Sequence, residues 1–156
     1  MSDLKHLFSK KINILIIYSI IVLAVSYFTY FKNYDYPPSV FWDENYHIAS
    51  AQKYLTGVMF METHPPLGKL FIALGEYIIH PNDDINKSGF TQTDYIKDFP
   101  AGYSFAGVRF FSALFAWLSA IVFFYLLYFI SKNPHTALVF SSLYIFENAL
   151  ITHSRA

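Results

Sequence analysis

Asp43 and Glu44 stand side by side in the run Phe41-Trp42-Asp43-Glu44, and His64-Pro65-Pro66-Leu67-Gly68-Lys69 follows them. A carboxylate can take the proton of a hydroxyl, while histidine, lysine and arginine can hold the oxygens of a phosphate. Asp43 and Glu44 are therefore the candidate catalytic acids, and His64, Lys69, Arg109 and Arg155 the candidate phosphate ligands. Glu147, inside an apolar segment, is a supporting acid. A phosphate leaving group is already a stable anion and needs no general acid. One carboxylate would suffice where glycoside hydrolysis requires two.

Placing such groups requires a membrane. The 156 residues are 54% apolar and 21% aromatic with 14% charged, a balance foreign to soluble domains. Formal charge is zero, and neither a zinc finger nor a basic helix points to nucleic acid. Without cysteine, disulfides and thiolate metal sites are excluded. Nine of the 11 acids lie between Asp35 and Asp98, so the polar chemistry is concentrated in one stretch.

Residues 12–31 carry no charge and as a helix would be about 30 Å long, the thickness of bilayer hydrocarbon. Aromatic residues at Tyr27, Phe28, Tyr30 and Phe31 stand where a signal peptide would need a small-residue cleavage site, so an uncleaved anchor is expected. Lys5, Lys10 and Lys11 put residues 1–11 in the cytoplasm by the positive-inside tendency. Residues 32–106 become an extracytoplasmic loop. Residues 107–130 form a second span with Arg109 at its outer edge, 131–135 a cytoplasmic turn, and 136–152 a third span interrupted by Glu147 and Asn148. Residues 153–156 end the chain as if truncated. The expected fold is all-α and integral to the membrane, with three transmembrane helices. All the candidate residues would then share the outer face.

Within the loop, a helix is expected from Asp43 to Thr56, with Gly57 as its C-terminal stop. Pro65-Pro66 suit the first turn of a second helix, along which Leu67, Leu70, Phe71, Leu74 and Ile78 recur at helical spacing. At thirteen residues that amphipathic helix is too short to span and should lie in the interface plane. Residues 81–100, rich in Asn, Asp, Lys, Ser and Gly, read as a solvated loop. Asn86-Lys87-Ser88 has the form of a glycosylation acceptor, a pattern common by chance.

Taken together, Asp43-Glu44 behind an aromatic, the His64-to-Lys69 run, Gly107-Val108-Arg109-Phe110-Phe111-Ser112-Ala113-Leu114, and Glu147 through Arg155 resemble, in order, the N-terminal part of the protein O-mannosyltransferase family. The resemblance covers most of 41–155 but not 81–100. It implies a C-type (GT-C) glycosyltransferase that moves a sugar, mannose first, from a polyprenyl-phosphate carrier to a Ser or Thr hydroxyl of a protein, with inversion, outside the cytosol. It implies Asp43 as the base, Glu44 and Arg109 close to it, and lipid-phosphate contact at His64 and Lys69. No metal or cofactor is implied beyond the lipid-linked sugar. The implied partners are that donor, a protein acceptor, membrane lipids and, for some members, a related subunit in a dimer. The implied location is a bacterial inner membrane or the endoplasmic reticulum membrane. Family members are much longer, so this part alone is expected to be inactive. Where members commonly have Asp, this chain has Glu62.

Plainer readings exist for each residue. Asp43 in isolation reads as a helix N-cap and Glu44 as a first-turn acid. Lys69 can snorkel, and Arg109 can anchor a span. Glu147 in a span wants a partner, Arg155 or Arg109. His47, one turn after Asp43, invites a metal site with His64, which no motif supports. Two rival functions share the loop: an aminoarabinose-type transferase with a lipid acceptor, and a non-catalytic module that binds lipid phosphates or a partner.

Overall fold

The structure, a computed structural model, describes residues 2–154 apart from Trp42 and Thr63, with side chains from Ile12 onward. Helices make up the regular structure of the described residues: α1 (Ser2–Ser26), a π-helical turn (Tyr27–Phe31), α2 (Glu44–Thr56), α3 (Leu67–Ile79), α4 (Ser88–Gln92), α5 (Ala106–Ser131), α6 (Pro134–Ile145) and α7 (Asn148–His153). They divide into two units. Of the described residues, the first comprises 2–32 and 114–153, the second 33–113 with Ser154.

Among the described residues two helices are long and apolar enough to cross a membrane, Ile12–Phe31 in the first unit and Ala106–Ser131, which belongs to that unit from residue 114 onward. Helix α1 begins at Ser2, so the segment expected as a cytoplasmic tail is the helix's own first turns. Near its end the hydroxyls of Ser26 and Thr29 donate back to Val22 O (2.7 Å) and Val25 O (3.2 Å). Such back-bonding perturbs the main-chain ladder, and the chain widens there into the π turn, closed by Lys32 N donating to Tyr27 O at 2.8 Å. Val22, Ala120, Phe124, Ala137 and Ile145 form the core of this unit. Small residues let helices approach closely, and buried polar side chains then join them where no water competes. Trp117 Nε1 donates to Leu23 O at 2.9 Å, and Tyr30 Oη donates to Tyr144 O at 2.8 Å.

The third apolar segment is interrupted where Glu147 and Asn148 stand. Asn133 caps α6, accepting from His135 N and Thr136 N, and Pro134 takes the first helical position, where its missing N–H costs nothing. Helix α6 then stops after 12 residues at Ile145, about 18 Å by helical rise. The chain breaks at Phe146-Glu147 and resumes as the six-residue α7, where Glu147 Oε2 accepts from Leu150 N at 2.8 Å. Glu147 thus serves a local helix start, and among the described residues two helices have spanning length.

The second unit surrounds Ile48, Ala49, Phe90, Ile96, Tyr103, Phe105 and Val108. Helix α2 ends as expected at Gly57, whose φ of 69° is the left-handed conformation glycine adopts freely. Residues 81–100 correct the sequence reading. Phe90 on α4 and Ile96 are buried, and Phe90, Phe99, Tyr103 and Phe105 pack ring to ring. The polar residues hid an aromatic core because its rings are spaced irregularly, without helical or strand period.

Helix α3 follows its predicted range, with Pro66 just before its first turn, and it buries charged residues rather than its leucines. Lys69, Ala73, Gly75 and Glu76 are buried, while Leu67, Leu70, Leu74 and Ile78 are exposed. The leucine stripe is outward, which suits a helix bathed by lipid on one side. Inward, a Cβ on Gly107 would sit 2.7 Å from Glu76 Cα. Only glycine allows the start of α5 to press against α3 there.

Candidate active site

The first turns of α2 sort the two adjacent acids. Asp43 holds the N-cap position of Glu44–Thr56, its carbonyl accepting from Tyr46 N and His47 N, but its side chain makes no capping bond. Glu44 instead reaches back and accepts from Phe41 N at 3.0 Å. Glu44 is 5% exposed and faces Arg109, which is 1% exposed.

Arg109 is saturated. Its Nε donates to Glu44 Oε1 (2.6 Å) and one terminal nitrogen to Glu44 Oε2 (2.8 Å) and Ser39 O (2.7 Å). The other donates to Asp35 O (3.1 Å) and Pro37 O (2.7 Å). A guanidinium has five N–H donors, and all five are spent. Its plane also stacks over Phe105 at 4.2 Å. Arg109 is therefore a brace that ties residues 35–39 to α2, with no donor left for a phosphate or for Glu147. Arg109, expected as a phosphate ligand, has its donors engaged by Glu44 and the 35–39 carbonyls in this structure.

Asp43 goes elsewhere. With His47, Glu62, His64 and Lys69 it lines an open cavity of about 440 Å³. Asp43, His47 and Ser50 are spaced to share one face of α2, and the Pro65-Pro66 segment and α3 deliver His64 and Lys69 opposite. Lys69 is buried and donates from Nζ to Glu62 Oε1 at 2.5 Å, and His64 N donates to the same oxygen at 3.1 Å. Desolvation would raise the Glu62 carboxyl, but the bonds from Lys69 and His64 N outweigh it and hold it below the usual range. Burial first, then the Lys69 charge, lowers the His47 pKa, so its imidazole is neutral at neutral pH. The rings of His47 and His64 lie 6.5 Å apart. Among the described residues no group of three His, Asp or Glu is placed to hold a metal.

The cavity thus pairs one carboxylate without a cap bond with a tethered cation and two histidines. Such a set can accept a proton on one side and steady an anion on the other. Of the sequence-selected residues, Asp43, Glu62, His64 and Lys69 come together, with Glu44 and Arg109 as a separate buried pair behind the helix start. Glu147 belongs to the other unit, and Arg155 lies outside the described residues. Sequence reasoning overlooked Tyr46, Ser50 and Asp94, which also line the cavity. Helical spacing from Asp43 pointed to Ser50. Nothing local marked Asp94, which arrives from the 81–100 stretch to pair with Lys53.

The family model described as dolichyl-phosphate-mannose-protein mannosyltransferase matches residues 20–156. Protein O-mannosyl-transferase 2 of Danio rerio is 34% identical over 140 residues, 87% of this chain and 17% of that protein. Dolichyl-phosphate-mannose--protein mannosyltransferase 4 of Schizosaccharomyces pombe is 30% identical over 161 residues, covering 98% and 19%. Dolichyl-phosphate-mannose--protein mannosyltransferase 6 of Candida albicans is 28% identical over 154 residues, covering 97% and 17%. The chain spans less than a fifth of the length of these relatives. No solved structure matches it.

Proposed function

Because the chain belongs to the dolichyl-phosphate-mannose-protein mannosyltransferase family, we propose that it carries the base and donor-phosphate contacts of a protein O-mannosyltransferase. The acceptor hydroxyl oxygen attacks C1 of the lipid-linked mannose from the face opposite the phosphate. The O–C1 bond forms as the C1–O(phosphate) bond breaks, and inversion follows from that geometry. The hydroxyl proton goes to Asp43, and the polyprenyl phosphate leaves with the bonding electrons. Lys69 and His64 steady its charge, Glu62 holds Lys69 in place, and Glu44 with Arg109 fixes the helix start that aims Asp43. The site faces away from the cytosol, three membrane passages include the broken α6–α7 segment, and the protein resides in a bacterial inner membrane or the endoplasmic reticulum membrane.

The observation that carries this reading is the division of labour between neighbours: Glu44 is consumed by Arg109, whereas Asp43 lines the open cavity with His64 and Lys69. The relatives' names, which join a mannosyl donor to a protein acceptor, favour it over transfer to a lipid. The test is sugar transfer from polyprenyl-phosphate mannose to a threonine peptide by the full-length protein. Asp43→Asn should abolish transfer while membrane insertion and thermal stability stay at wild-type values. Retained transfer would remove Asp43 from the mechanism.

A further inference from the structure

Residues 93–98 lie outside every motif that the reading above uses, yet they border the reaction cavity. Asp94 lines that cavity, and the next residue, Tyr95, lines a second depression of about 340 Å³. The two hollows are therefore neighbours along one wall. Tyr46, itself part of the first, packs on Tyr95 with ring centroids 4.9 Å apart. These rings are 45% and 40% exposed, whereas Phe90 and Tyr103 in the nearby cluster are buried. The strip is anchored rather than loose. Asp94 is bound by the buried Lys53, and Asn45 Nδ2 donates to Ile96 O at 3.4 Å.

We propose that the Tyr46–Tyr95 ridge and the depression beyond it seat the acceptor polypeptide on one side of its reacting hydroxyl. This rests on the assignment of Asp43 as base. A Ser or Thr held at Asp43 must have its chain led away, and an extended chain advances about 3.3 Å per residue, so a few residues cross the ridge. Tyrosine rings give contact area at small entropic cost. In the depression Asn86 keeps its amide N–H donors and Thr93 its hydroxyl lone pairs for a peptide backbone, since Asn86 Oδ1 accepts from Ser88 N and Thr93 Oγ1 donates to Tyr95 O. Lys97 and Asp98 beside them balance in charge, so the surface selects an extended backbone rather than a charged sequence.

The test compares two acceptors in the full-length protein: a blocked single threonine, and a peptide with several residues on each side of its threonine. Tyr95→Ala should raise KM for the peptide about tenfold, with kcat, donor KM and blocked-threonine KM unchanged, and Tyr95→Phe should behave as wild type. An equal change for both acceptors, or none for the peptide, overturns the proposal. A peptide carrying a benzophenone near its threonine should crosslink to 93–98 in wild type and in Asp43→Asn alike. Crosslinks confined to other segments overturn the ridge whether or not Tyr95→Ala folds. Transfer surviving in Asp43→Asn would sink the base assignment while the crosslink stands, so the two failures are separable.

Discussion

Replacing Arg109 by Ala tests the brace most directly. The variant leaves the Glu44 carboxylate, 5% exposed, without its counter-charge and strips donors from the carbonyls of Asp35, Pro37 and Ser39. Stranding one member of a buried ion pair costs about 3–5 kcal/mol. Glu44 keeps the bond from Phe41 N, and the partly exposed carbonyls can turn to water, so about 4 kcal/mol is a fair expectation. That corresponds to nearly a thousandfold in the folding equilibrium. Thermal unfolding of the solubilised protein measures it, together with protease cleavage of residues 33–44, which should accelerate. Arg109→Lys keeps the charge but lacks the five-donor fork, and should lose about half as much. Glu44→Gln with Arg109→Met should be milder than Arg109→Ala alone, since neither charge is left stranded. If Arg109→Ala costs less than about 1 kcal/mol, as an exposed pair would, the five bonds are not what holds this segment.

Three further outcomes are expected. Gly107→Ala drives a methyl to 2.7 Å from Glu76 Cα, and should cost about 1–3 kcal/mol in thermal stability; an unchanged melt would show that α3 and α5 can part freely. Lys69→Met should raise the donor KM and leave kcat for bound substrate less affected, because the cation proposed to steady the phosphate is gone while Asp43 remains; an unaltered donor KM would exclude Lys69 as a phosphate contact. Burial raises the Glu76 carboxyl above its ordinary range, so the folded state holds that proton more tightly than the unfolded state. Its contribution is complete below the ordinary carboxylate pKa and is lost as pH rises through the folded value. Glu76→Gln should flatten that decline in melting temperature between acid and neutral pH, and identical slopes would refute it.

Much of the frame was legible because its signals are local. Charge-free runs marked the two long helices, Gly57 marked the end of α2, and Glu147 announced the break in the third apolar segment. The motif residues Asp43, Glu62, His64 and Lys69 did converge on one cavity. What stayed hidden depends on partners distant in sequence. Arg109 at a span boundary looks like an anchor until its acceptors at 35–44 are known. Phe90, Ile96 and Phe99 are scattered among polar residues, and composition outweighed them. Helix α3 showed its period but not which side faces inward, since a leucine stripe means core in water and the reverse beside lipid. His80 ends α3 in a left-handed turn, φ 52°, that glycine would have advertised and histidine does not.

Consecutive residues at a helix start diverge by roughly 100°, and here that rotation sends one acid to the interior and its neighbour to the cavity. Transposing them, so that Glu precedes Asp, would preserve composition, net charge and almost every atom. It would nonetheless shorten the arm that must grasp a guanidinium and lengthen the one that must meet a hydroxyl. If Asp43 is the proposed base, a screen that counts only sugar transferred would score either position as indispensable, and only a parallel measure of folding would separate the architectural loss from the chemical one.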